Sequence, residues 1–258
     1  LAARGAQAAG AGLTRLFVDP PLYPALASCS GGIMVIPENS PEREAADGGV
    51  LPERFRPDAV LLGPGWGRGA DRMRLLEKFL VLEENGVPLI LDADAIALAR
   101  DMVFHEAAVI TPHAGEFSGY TGISVDDILA DPVSVLRRFA KEKNVHILLK
   151  GHVLYIVAPD GRVGIIDGMN PALASGGSGD VLAGFCAAIA GRMYVGSRRQ
   201  NSGAKVDLFE CAAAAAALLM EAGRAETVSG CFADPLEIAD AAAKIAGGAW
   251  LPAGGEIE

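Results

Sequence analysis

The sequence predicts an α/β protein with an open, mostly parallel, doubly wound sheet and helices on both faces. Several short apolar runs lack the polar alternation of a half-exposed strand, as in Ala59-Val60-Leu61-Leu62, Pro88-Leu89-Ile90-Leu91, Ala107 to Ile110 and His146 to Leu149. Such runs are the mark of parallel strands buried on both faces. Each run also ends in glycine or polar residues, and helical spacers separate most of them. A parallel sheet places its ligand crevice along those carboxyl ends.

Taken in order, the opening LAARGAQAAGAG reads as the second half of an amphipathic helix with a glycine stop, so an upstream segment is expected. Leu16 to Val18 and Ile33 to Ile36 read as short strands, and Pro37 to Gly49 as a polar surface loop. A helix from Ala70 to Asn85 joins the third strand to the fourth, and Asp92-Ala93-Asp94-Ala95 opens the next. Tyr155 to Ala158 and Val163 to Ile166, joined by Pro159-Asp160-Gly161, form a predicted hairpin. Val181 to Ala190 reads as a buried helix, Gly191 to Lys205 as a loop, and Leu208 to Ala222 and Asp234 to Ile245 as closing helices. No repeat or linker interrupts the 258 residues, which predicts one domain.

A net charge of -10 argues against a nucleic-acid or anionic-membrane surface. A small anion is still an admissible ligand, because backbone N–H groups hold phosphate without net positive charge. Cys29, Cys186, Cys211 and Cys231 are widely spaced and read as reduced, and the most apolar stretch, Ala212 to Met220, is too short to span a bilayer. A cytoplasmic enzyme is the default that follows.

The run Gly176-Gly177-Ser178-Gly179-Asp180 stands directly before the helix pattern at Val181. Glycines bring N–H groups close to a ligand and the helix start adds partial positive charge, so an anion is the natural guest. A carboxylate there suits a base that accepts a proton from an attacking hydroxyl, or else a simple helix cap. Asp92 and Asp94 could hold Mg2+ through water or cap a helix. His113 with Glu116 could bind substrate or lie on the polar surface, and Lys150 could reach phosphate or end an exposed strand. Their conjunction at successive strand ends favours one shared site.

Read together, GPGWG at Gly63 to Gly67, LDADAIAL at Leu91 to Leu98, TPHAGEF at Thr111 to Phe117, LLKG at Leu148 to Gly151 and NPALASGGSGDVLAG at Asn170 to Gly184 resemble the ADP- or ATP-dependent NAD(P)H-hydrate dehydratases. That family belongs to the ribokinase-like superfamily, so the resemblance implies a ribokinase-like three-layer sandwich. It further implies nucleotide-dependent dehydration of hydrated NADH or NADPH, with ADP or ATP as phosphoryl donor and Mg2+ as cofactor. On that resemblance Asp180 is the catalytic base, and Gly65, Gly67, His113, Glu116, Asn170 and Asp180 contact substrate. Lys150, Gly151, His152, Val153 and Leu154, with Gly176, Gly177, Ser178 and Gly179, line the nucleotide site, while Asp92 and Asp94 are candidates for the metal. A homo-oligomer, with a tetramer among the options, and an accompanying epimerase are also implied.

The sequence departs from the family pattern in three places. Its glycine-alanine motif should lie just before Leu1, Leu154 stands where threonine is usual, and Ile166-Asp167-Gly168-Met169-Asn170 replaces an Asn-x-Thr-Gly-Asn pattern. Two other readings use the same residues: a kinase that leaves a small alcohol phosphorylated, and a nucleotide-binding protein without turnover.

Overall fold

The computed structural model describes residues 1–29, 31–40, 56–168, 170–200, 205–226 and 233–250, the side chains of 248–250 excepted. Its centre is a six-stranded sheet ordered as in the chain: β3 (Val60–Leu62), β4 (Leu89–Leu91), β5 (Ala108–Ile110), β6 (His146–Leu149), β7 (Val153–Val157) and β8 (Val163–Asp167). The first four run parallel, whereas β7 is antiparallel to β6 and β8 to β7. The predicted hairpin is present and both its strands are longer than the sequence suggested. The expected first strands, β1 (Thr14–Val18) and β2 (Ile33–Pro37), pair parallel with each other in a separate two-stranded sheet.

Alternation along the buried strands sorts side chains to two cores. Leu89, Leu91, Ala108, Ile110, Ile147 and Leu149 face one way, against α3 (Ala70–Glu84), α4 (Asp94–Leu98), α5 (Ala114–Thr121), α6 (Val125–Ala130) and α7 (Pro132–Lys143). Within that layer Phe117, Tyr120 and Phe139 pack as a tilted and edge-on aromatic trio, with centroids 5.0 to 6.5 Å apart. Each such pair contributes about 0.5 to 1.5 kcal/mol beyond its buried area. Ile90, Val109, Leu148, Leu154 and Ile156 face the other way, toward α8 (Ser178–Arg199) and α9 (Leu208–Glu226), with α1 (Ala2–Ala8) and α10 (Pro235–Trp250) alongside. This is the three-layer arrangement that the sequence predicted.

The second core is built from small residues. Ala212, Ala215, Ala216 and Ala222 of α9 are fully buried, so its alanine face is spent inside the molecule. Helix α1 lies so close to α8 that a Cβ on Gly184 would run into the Ala2 carbonyl, and one on Gly5 into that of Val181. The remaining short helix, α2 (Tyr23–Cys29), buries no residue. Arg72 on α3 ties the ends of β1 and β2 to the main body, donating to Asp19 at 2.6 Å and to Glu38 at 2.6 Å.

Residues 191 to 199, expected as loop, continue α8 as helix. Gly191 is no stop signal there: it is buried, and a Cβ on it would stand 3.2 Å from that of Ala59, so it admits the chain entering β3. Of the other expectations, residues 41–49 of the polar loop, residues 201–204, Met169 and Cys231 lie outside the described residues. Cys29 is exposed and Cys186 and Cys211 are buried, all three as free thiols. No helix among the described residues is long and apolar enough to cross a membrane.

Candidate active site

The carboxyl ends of β3 to β6 deliver the predicted residues to one edge. After β3 the backbone turns through Gly63, whose φ of +122° is open to glycine, and any Cβ there would run into the Asp92 carbonyl. Gly65 and Gly67 follow, both with positive φ. Asp94 holds this loop in place, accepting from the Gly67 N–H at 2.9 Å and from Arg68 Nε at 2.8 Å.

Asp92 points elsewhere. It is 1% exposed, and its Oδ1 accepts from Thr111 Oγ1 at 2.9 Å and from Lys150 Nζ at 2.7 Å, while Oδ2 is buried with no partner among the described residues. Removing either partner of so buried an ion pair would strand a charge, at a cost on the order of 3 to 5 kcal/mol. The residue between the two acids, Ala93, has φ 47° and ψ -120°. That conformation costs a non-glycine residue about 1 to 3 kcal/mol. Asp92 and Asp94 thus bond different partners, and no group of three or more acidic, histidine or cysteine side chains suited to a metal occurs among the described residues.

His113 begins α5 as its N-cap. Its Nδ1 accepts from the N–H groups of Gly115 and Glu116, at 3.0 and 3.2 Å, and Glu116 Oε2 accepts from the His113 N–H at 2.9 Å. The reciprocal pair is a capping box. Because Nδ1 accepts, the neutral ring carries its proton on Nε2, which stands 3.6 Å from Glu116 Oε1 on a largely exposed side chain. Lys150 Nζ also lies 3.9 Å from Glu116 Oε2, and a bridge between His113 and Lys150 continues the parallel pairing of β5 and β6.

Asp180 lies in the first turn of α8, a helix of 22 residues whose N-cap, Gly177, has φ +100°. The amides of Gly179 and Asp180 donate to no acceptor among the described residues. Ser178 spends its hydroxyl on the Leu173 and Ser175 carbonyls, at 2.8 and 3.0 Å, and so folds the glycine-rich turn back on itself. Gly179 leaves room for Lys150, whose Nζ would stand 3.1 Å from a Cβ added there. Burial, reinforced by the negative charge of Asp92, pushes the Asp180 carboxyl above the usual carboxylate range, while Lys150 pulls the other way.

The remaining expected positions divide. Gly151 and His152 form the exposed turn between β6 and β7, beside Lys150. Leu154 is 3% exposed and its side chain belongs to the apolar core. Asn170 caps the short turn Pro171–Leu173, its Oδ1 accepting from the Ala172 N–H at 3.1 Å. Sequence reasoning missed Thr111 and Arg68 as anchors of the two aspartates. Thr111 stood inside a motif already singled out, whereas nothing local marked Arg68.

A mostly parallel sheet with helices on both faces is the ribokinase-like fold. A solved ribokinase-like superfamily protein from Enterococcus faecalis V583 has the same fold, with a TM-score of 0.75 at 23% identity, over 96% of this chain and 81% of that one. An ADP/ATP-dependent NAD(P)H-hydrate dehydratase from Bacillus subtilis, co-crystallized with ATP/Mg2+ and soaked with CoA, gives 0.74 at 22% identity, over 95% and 84%. Residues 1–241 match the family described as NAD(P)H-hydrate dehydratase, and the chain belongs to that family. It is 35% identical over 202 residues to a bifunctional NAD(P)H-hydrate repair enzyme from Moorella thermoacetica. That match takes in 74% of this chain but only 38% of the relative's length.

Proposed function

We propose that this chain dehydrates hydrated NADH or NADPH, using ADP or ATP with Mg2+ as phosphoryl donor. The observation that carries the reading is Asp180: a half-buried carboxylate with a raised pKa, at a helix start whose neighbouring amides have no acceptor among the described residues. Phosphate binding alone would not select a carboxylate there. Accepting the proton of an attacking hydroxyl would.

In this reading the hydroxyl on the reduced ring attacks the terminal phosphorus, its proton passes to Asp180, and the bond to the departing nucleotide breaks. The ring C–O bond then breaks, phosphate leaves and a neighbouring C–H proton is lost, which restores the dihydropyridine. The amides of Gly179 and Asp180 hold the transferring group at the helix start, with Gly176, Gly177 and Ser178 shaping the turn and Lys150 supplying charge beside it. Mg2+ would neutralise part of the phosphate charge, with Asp92 and Asp94 the candidates to hold it through water. His113 donates from Nε2 to the substrate, Glu116 keeps that ring oriented, and the loop carrying Gly65 and Gly67, pinned by Asp94, borders the same crevice. Gly151 to Leu154 lie against the nucleotide through their backbone, since Leu154 is committed to the core.

The reading extends to a cytoplasmic setting, to work alongside an NAD(P)H-hydrate epimerase and to a homo-oligomer, which light scattering tests. For the reaction itself, hydrated NADH is incubated with ADP or ATP and the dihydronicotinamide absorbance is followed. The band should return only with nucleotide. Nucleotide consumption with no return of absorbance would instead leave a kinase.

A further inference from the structure

We infer that Asp92 is a positioning residue: by gripping Lys150 it fixes the ammonium over Gly179, where the transferring phosphoryl group is held. The inference rests on the phosphoryl-transfer reading only for naming the reaction, since the geometry stands by itself. A long lysine side chain on a strand end has many rotamers, and each must be lost before its charge serves one point in space. Here one carboxylate oxygen gathers Lys150 Nζ at 2.7 Å and Thr111 Oγ1 at 2.9 Å, from two adjacent strands.

Three further observations converge on Asp92. Its own carboxylate is almost wholly shielded, so it makes no direct contact with a ligand. Its second oxygen is buried and makes no hydrogen bond among the described residues, an arrangement that costs stability and is tolerated where a site requires it. The strained Ala93 follows immediately after it, and Asp94 serves the glycine loop while Asp92 serves Lys150. Gly179 completes the fit, as a Cβ there would press on Lys150 Nζ, Cε and Cδ at 3.1 to 3.7 Å. Lys150 is thus held on one side by Asp92 and received on the other by the glycine of the helix start.

The test is a double-mutant cycle on Asp92→Asn and Lys150→Met, with kcat, KM for ADP and melting temperature recorded for each. Acting through Lys150, Asp92→Asn should lower kcat at least about tenfold, and it should add less than about threefold once Lys150 is already Met. Thr111→Val keeps both charges while loosening the grip, so it should give a smaller loss of the same kind, and it serves if Asp92→Asn fails to fold. Additive losses, or a lowered melting temperature with kcat intact, would overturn the inference. So would tighter ADP binding at undiminished kcat, because Asp92 would then merely compete with phosphate for Lys150. If the chain has no dehydratase activity, calorimetric titration with ADP and adenosine decides the same question. The preference for ADP over adenosine should fall in Lys150→Met and in Thr111→Val, and an unchanged preference in both removes the inference independently of the reaction.

Discussion

The two ends of the central sheet handle charge in opposite ways. At the amino end Glu83 is almost completely buried, yet its carboxylate receives the His105 and Ala107 amides, each at 2.8 Å, and His105 Nδ1 at 3.0 Å. Nearby, Arg162 is clasped between Asp160 and Asp207, which holds both acids below their usual range through hydrogen bonds and charge. At the carboxyl end an oxygen of Asp92 goes without a partner among the described residues, Asp180 is raised, and Ala93 is strained. Complete satisfaction is what a structural charge needs to be worth burying. Incomplete satisfaction leaves groups ready to act on something else, and here it falls at the end that carries the site.

That contrast can be broken most forcefully at Glu83. Glu83→Ala would leave the part-buried His105 and Ala107 amides without their charged acceptor, and the expected loss is about 3 kcal/mol of stability by denaturant melts. The folded fraction should keep its kcat, and a loss of kcat with stability intact would erase the distinction between the ends.

Asp180→Asn should do the reverse, with turnover falling at least about a hundredfold, roughly 2.7 kcal/mol of barrier. Its stability should rise. A carboxyl whose folded pKa lies above its unfolded value binds protons more tightly when folded, so its ionised form opposes folding at neutral pH, and the amide removes that penalty. The same sign places the acidic fall of kcat/KM above the ordinary carboxylate range, since protonated Asp180 cannot accept a proton. A fall confined to the ordinary range would contradict the raised Asp180 in the free enzyme.

Tyr120 offers the smallest effect. Its hydroxyl is buried without a hydrogen bond among the described residues, away from the crevice in the aromatic trio, and burial drives its pKa well upward. Tyr120→Phe should change stability by less than about 1 kcal/mol, neutral or upward, and leave kinetics untouched. A clear loss of stability would mean that the hydroxyl has a partner after all.

What the sequence made legible was local. Unalternating runs such as Leu89 to Leu91 announce buried parallel strands, and the glycines before Asp180 announce a helix start with room for an anion. What it concealed was separation and conformation. The Lys150–Asp92 bond joins residues 58 apart in the chain, and no spacing rule reaches that far. Ala93 looks like an ordinary helix former, so its inverted backbone leaves no compositional trace. Gly191 misled because glycine signals both a turn and a close approach, and only the neighbouring Ala59 tells which applies. The departure at Leu154 looked like a lost hydroxyl in the nucleotide site, yet its side chain is committed to the core.

The backbone contact between α1 and α8 gives the site a mechanical property. With no side chains between Gly5 and Val181, nothing soft separates the first helix from the turn that carries Asp180. A leucine or a lysine between them would act as a spring. Here the two helices meet backbone to backbone, so any side chain added at Gly5 would push directly on the first turn of α8, the turn that carries Asp180.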